Sequence, residues 1–314
     1  MSIRTALASA IHEEFSKCKG AHLTHEARFH TGKKFASVMS SLQYTHLKTP
    51  KDIKEKHVKA YVAFRKMQNA SIRTLQNEMS HLRTLLFVCG KKELASAPEI
   101  SNKSLKISGA SRVGTKVSIT DEDLCRVCEE SKRQRRPGMG CLLMLERWLG
   151  LRTNEAIHAR ADTLTRWKRE LMETRTITVI SGSKGGRPRT VSIKYLDQAM
   201  TAIDDAISVA SEQGGFLVAR RNRKPVGGLH RARCIYHAWM WRMGVQSHCA
   251  RYAFAQMNFK AYCNEGYLIR EALIRVSSDL GHGSGRGRWV KSVYLRTAKL
   301  NTSGDSSERA SKLA

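Results

Sequence analysis

Six residues of this 314-residue chain have the types that chemistry on a phosphodiester uses: Arg152, Lys184, His248, Arg251, His282 and Tyr294. They fall in LGLRTNEAI, SGSKGGRPRTV, SHCARYAFA, DLGHGSGRGRW and VKSVYL. A guanidinium is a planar fork of donors that grips two nonbridging phosphate oxygens at once, which a compact ammonium does less well. Imidazoles exchange protons near neutral pH. Two arginines, a lysine and two histidines therefore suffice to hold one phosphodiester and move its protons, and a tyrosine can then attack it. A free phenol, with a reference pKa near 10, is only about one part in a thousand ionised at pH 7. The resulting penalty of roughly 4 kcal/mol is one that neighbouring cations and imidazoles offset.

These residues need elements to carry them. From residue 2 to about 94 the chain shows helical periods with little strand signal, in SIRTALASAIHEEFSK, HEARFHTGKKFASVMSSLQ, DIKEKHVKAYVAFRKMQ and SIRTLQNEMSHLRTLLFVCG. In the third, Val58, Tyr61, Val62 and Phe64 lie largely on one stripe; Thr49-Pro50 punctuates its start and Gly90 ends the fourth. Residues 1–94 are thus expected to form a helical bundle. Residues 95–118 are rich in Ser, Gly and Lys, with no acid between Glu99 and Asp121, and read as a basic interdomain linker. Its Lys103, Lys106, Arg112 and Lys116 either lie against phosphates or merely solvate the linker; both readings stay open.

A mixed pattern occupies residues 119–298. Helices are expected over about 120–132 and 138–159, followed by the β-branched runs RTITVI and RTVSI, a hairpin turning at Gly185-Gly186. The rest is helical to about 298, and the tail 299–314, without aromatics, reads as mobile. The fold class is mainly α with a small β-sheet (α+β).

Composition narrows the partner. The 55 Lys+Arg against 27 Asp+Glu give a formal charge of +28, which calls for a polyanion. No apolar run approaches the roughly 20 residues of a membrane span. The N-terminus carries acids where a signal peptide would be apolar, so a soluble intracellular protein with no membrane partner is expected. Between Gln213 and Asn264 there is no Asp or Glu, while Arg220, Arg221, Arg223, Lys224, Arg231, Arg233, Arg242, Arg251 and Lys260 fall there, which points to a phosphate-facing surface. Eight scattered cysteines fit reduced thiols. Cys125 and Cys128 form a CxxC inside the periodic run DEDLCRVCEESK, with no second pair at zinc spacing, so no metal is expected.

In order and context the six residues resemble the tyrosine recombinase (phage integrase) family. Leu149-Gly150-Leu151-Arg152-Thr153-Asn154-Glu155 is similar to the family's first arginine box, in which the Glu supports the following helical turn. His248 and Arg251, three apart, would share one helix face. The family more often has Leu and His where Ala250 and Tyr252 stand. Leu280-Gly281-His282 matches the late Leu-Gly-His box, and its position after that box singles out Tyr294 from Tyr252, Tyr262 and Tyr267, at an interval longer than usual. The resemblance covers most of residues 119–298, whereas the N-terminal bundle corresponds to the core-binding domain only by size and helical character.

The resemblance implies a clamp of two domains on double-stranded DNA. Tyr294 would be the nucleophile that forms a 3′-phosphotyrosine, with Arg152 and Arg251 stabilising the transition state, His248 carrying protons at the same phosphate, and His282 hydrogen-bonding that phosphate or assisting proton removal. Lys184 on the hairpin would be the general acid for the departing 5′ oxygen. Arg187, Arg189, Arg221, Arg223, Lys106 and Arg112 are expected to contact DNA. The family mechanism further implies a homo-tetramer on two duplexes, no cofactor, accessory DNA-bending proteins, and a cytoplasmic protein associated with a prokaryotic nucleoid. Integration, excision or inversion of a mobile DNA segment is the expected outcome. Two alternatives use the same fold: a DNA-relaxing topoisomerase, and a non-catalytic DNA-binding regulator.

Overall fold

A computed structural model describes residues 3–20, 22–111, 113–114, 116–183, 186–219, 226–246 and 248–296. The chain divides into two compact units, Met1–Ser111 and Arg112–Ala314.

The first unit is all helical: α1 (Ile3–Ser16), α2 (His22–Ser41), α3 (Glu55–Met67), α4 (Ile72–Val88) and α5 (Lys92–Ser96). The stripe expected on α3 is buried at Val58, Tyr61 and Val62, with Phe64 packed at its edge. They share one buried core with Phe35 and Met39 of α2 and Leu75, Met79, Leu82 and Leu86 of α4. Each such apolar side chain contributes on the order of 1.5–3 kcal/mol when fully buried. One carboxylate is buried among the described residues of this unit: Glu78 accepts from Lys34 Nζ (2.9 Å), Tyr61 Oη (3.0 Å) and Arg65 Nη2 (3.2 Å), which balance its charge. The unit also extends further than its helical periods indicate. Ile100, Leu105 and Ile107 are buried in the same core, so the stretch read as linker from 95 is folded into the first unit almost to its end. Three apolar residues spread among serines and lysines carry no periodicity, yet they suffice to anchor an irregular segment.

The second unit places α6 (Asp121–Arg133), α7 (Pro137–Trp148), α8 (Thr153–His158) and α9 (Ala161–Thr174) before the hairpin β1 (Thr176–Val179) and β2 (Arg189–Ser192). After it come α10 (Leu196–Glu212), α11 (Leu229–Arg242), α12 (Cys249–Asn264), α13 (Ile269–Asp279) and α14 (Gly287–Val293). The Thr120 hydroxyl caps α6 by accepting from the Asp123 N–H (3.1 Å), and Pro137 opens α7, where its missing N–H costs nothing. The apolar α7 packs on α6, α10 and α12 and buries Leu142, Leu143 and Leu145. The strands pair antiparallel with Thr176 opposite Ser192 and Val179 opposite Arg189, turning Ile177 and Val191 into the core. Trp167 Nε1 donates to the Thr178 carbonyl (2.8 Å), tying α9 to β1. No described helix is long and apolar enough to cross a membrane.

The single helix expected over 138–159 is two helices, because Gly150 has φ +61 and breaks the run between α7 and α8. A Cβ at Gly150 would run into the Phe254 ring, so both the conformation and the close packing require glycine there. The break places Arg152 at the N-cap of α8 instead of within a helix.

Candidate active site

Three guanidiniums converge on one patch of backbone. Arg152 Nη1 donates to Glu155 Oε1 (2.6 Å) and Nη2 to the Leu280 carbonyl (2.9 Å), while the Arg152 N–H donates to Glu155 Oε2 (2.7 Å). Arg251, fully buried on α12, donates to the Gly150 and Leu280 carbonyls. Arg189 completes the group: Nη2 donates to Glu155 Oε2 (2.7 Å) and to the Gly150 carbonyl (3.1 Å), and Nη1 to the Asp279 carbonyl. Glu155 is the carboxylate in this cage. Burial opposes its charge, but Arg189, then Arg251 and Arg152, hold it down to about 2. Burial also lowers Arg251 to about 10, and it stays cationic at neutral pH.

His282 follows the same segment. Its Nε2 stands 3.5 Å from Tyr294 Oη, and its ring meets the Trp289 ring edge-on at 4.5 Å. Tyr294 caps the C-terminus of α14 and is buried with its ring 4.5 Å from that of Tyr252 and 5.6 Å from that of Trp289. Its carbonyl accepts from Gln256 Nε2 (3.0 Å), and Gly114 N–H donates to the Ser292 carbonyl (3.2 Å), so α12 and the start of the unit both hold the end of α14. Burial, then Arg251, Arg152, Arg286 and Arg189, lowers His282 to about 3. Burial, then Lys116, Arg251, His237 and Arg152, lowers His248 to about 4. Both imidazoles are therefore neutral at pH 7.

His248 does not share a helix face with Arg251. It is the N-cap of α12, in the left-handed region at φ +71, and the helix begins at Cys249. Spacing of three residues brings side chains together only once the helix has started, and here it starts one residue late. Arg189, expected to contact a DNA groove, has a side chain only 7% exposed and turned into the arginine cage. Arg251 likewise lies inside, away from the exposed Arg231, Arg242 and Lys260 of the acid-free stretch. Arg187 is exposed beside the hairpin, and Lys106 is exposed on the first unit. Lys184, Arg112, Arg221, Arg223 and the tail 299–314 lie outside the described residues. Among the described residues no group of His, Cys, Asp and Glu is arranged to hold a metal ion.

One group had no sequence signal. Glu146 on the apolar α7 is fully buried beside the Thr153 hydroxyl, and burial lifts it to about 8 against the pull of Thr153, Arg251 and Lys116. It is a neutral acid at pH 7.

Two family models match this chain: the phage integrase N-terminal domain over residues 5–95 and the integrase domain over residues 106–257. Together they span more than half of it, and the chain belongs to the tyrosine recombinase (phage integrase) family. It is a tyrosine-type DNA strand transferase of the site-specific recombinase class. Among solved structures, it is similar to the Tn1549 transposon integrase in complex with transposon right end DNA (14% identity, 99% of this chain and 100% of that chain, TM-score 0.64). It is also similar to the XerH site-specific recombinase bound to difH substrate (13% identity, 99% and 95%, TM-score 0.58). A third likeness is to a lambda integrase tetramer bound to a Holliday junction (12% identity, 90% and 76%, TM-score 0.55). At these identities the likeness is one of fold. No curated protein matches the sequence.

Proposed function

We propose that the chain binds double-stranded DNA, cleaves it by attack of Tyr294 on the scissile phosphate, and rejoins exchanged strands through a 3′-phosphotyrosine. The observation that carries this reading is the meeting of two arginine boxes and the Leu-Gly-His segment at one carbonyl, Leu280, with His282 at 3.5 Å from Tyr294 Oη. Arg152 and Arg251 stabilise the charge on the pentavalent phosphorus, and His282, whose Nε2 lies 3.5 Å from Tyr294 Oη, hydrogen-bonds the attacked phosphate or assists removal of the phenolic proton. His248 is the second proton carrier at the same phosphate. Lys184 supplies the proton to the departing 5′ oxygen, with Arg187, Arg221, Arg223, Lys106 and Arg112 on the DNA backbone. Bond energy is retained in the covalent intermediate, so the step needs no nucleotide cofactor.

Reversal by a 5′-hydroxyl of a partner duplex completes recombination, which places four protomers on two duplexes. The substrate is a mobile DNA segment that is integrated, excised or inverted.

A nicked suicide substrate tests this. Wild-type protein should form a covalent adduct whose peptide map ends on Tyr294, and Tyr294→Phe should form none while binding the same duplex. An undiminished adduct in the Phe variant would assign the nucleophile elsewhere.

A further inference from the structure

Arg189 is the one member of the arginine cage that the reaction scheme above does not use. It opens β2, the strand that follows Lys184, and its guanidinium reaches acceptors from three separate parts of the chain. These are the Glu155 carboxylate on α8 (2.7 Å from Nη2, 3.4 Å from Nε), the Gly150 carbonyl ahead of Arg152 (3.1 Å), and the Asp279 carbonyl at the end of α13. Two of these acceptors are shared with the phosphate-binding arginines: Gly150 with Arg251, and Glu155 with Arg152. Gly281 closes over the same side chain. It has φ +65, and a Cβ there would collide with Arg189 Cδ and stand 3.5 Å from Arg152 Nη1.

We propose that Arg189 is a positioning residue for strand cleavage, joining β2, the Gly150 turn and the end of α13 so that Arg152 and Arg251 present their guanidiniums at a fixed height and angle, without itself touching the phosphate. The proposal rests on reading Arg152 and Arg251 as the phosphate ligands. Two physical arguments support it. Only a planar fork of five donors can span acceptors from three directions, and an ammonium radiates its three donors from one point. The second argument is charge. With Arg189 present, the Glu155 charge is shared between two guanidiniums, Arg152 on Oε1 and Arg189 on Oε2, so the carboxylate claims less of the Arg152 charge than it would alone. Without Arg189, the buried carboxylate has Arg152 as its remaining direct ion-pair partner among the described residues and draws it inward.

The test separates cleavage from binding in Arg189→Gln and Arg189→Lys, measured below each variant's melting transition. Duplex affinity should stay within a few-fold of wild type, with an unchanged slope of log K against log salt. Single-turnover cleavage at saturating DNA should fall about 100-fold for Gln, as expected for misplacement on the scale of 1 Å, and less for Lys. Gly281→Ala, which pushes on the Arg189 methylenes, should show the same loss of cleavage without loss of binding, and it carries the test if the Gln variant does not fold. A salt slope shallower by about 0.9 with normal cleavage at saturation would make Arg189 a phosphate contact and overturn the proposal. Variants that cleave like wild type at saturation, beside a wild type that forms its adduct, overturn the positioning role alone. A wild type that forms no adduct overturns the reading of the site on which it rests.

Discussion

Arg152 and Arg251, 99 positions apart in sequence, donate to the same oxygen, the carbonyl of Leu280. Their separation is thereby set before any substrate arrives, and preorganised donors of this kind act on charge as it develops. Arg152→Lys and Arg251→Lys keep the charge but lose the fork, so each should lower cleavage by about 10²-fold or more with duplex binding nearly intact. A lysine variant that cleaves within a few-fold of wild type would reduce that arginine to a binding residue.

Glu146 makes stability depend on pH in a definite direction. Its ordinary value of 4.5 rises to about 8 in the fold because it is buried, so the folded state holds a proton that the unfolded state releases between those values. The contribution is fully present below pH 4.5 and is lost as pH rises through about 8. Glu146→Gln has no such proton to lose. Melts at pH 5, 6.5 and 8.5 should show the variant close to wild type at the lowest pH and more stable by on the order of a few kcal/mol at the highest. A gap that does not change with pH would mean that Glu146 is ionised throughout.

The acid-free stretch from Gln213 to Asn264 should act through phosphate neutralisation. Replacing Arg221 and Arg223 with Gln should weaken binding to target and random duplex alike and make the salt slope shallower by about 0.9 for each contact removed. An unchanged slope would exclude both side chains from the DNA backbone.

Most of the helical architecture is legible in the sequence because periodic apolar residues and capping signals mark it locally. Val58, Tyr61 and Val62 on α3, Thr120 before α6 and Pro137 opening α7 are examples. Three features are not legible, each for a physical reason. Ile100, Leu105 and Ile107 are core residues without a period, so their segment resembles a linker. His248 depends on where α12 begins, which its left-handed backbone decides and spacing does not. The inward turn of Arg189 depends on Glu155, Gly150 and Asp279, partners distant in sequence, while its local context of glycine, proline and other basic residues looks like an exposed hairpin. In the first arginine box the glycine at 150 does carry a signal, and it is the residue at which the helix breaks.

Among the described residues, four of the five that accept in the arginine cage do so with main-chain oxygens, those of Gly150, Asp279, Leu280 and Gly281, and every amino acid supplies one. The orientation of the arginines is therefore stored in the path of the chain more than in replaceable side chains. Drift at Leu280 could change the packing beneath the cage and still leave its oxygen in place, whereas the left-handed turns at 150 and 281 tolerate little besides glycine. Heredity can thus rewrite most of the lining of this site without erasing its acceptors, and its vulnerable points reduce to one carboxylate and two residues that have no side chain at all.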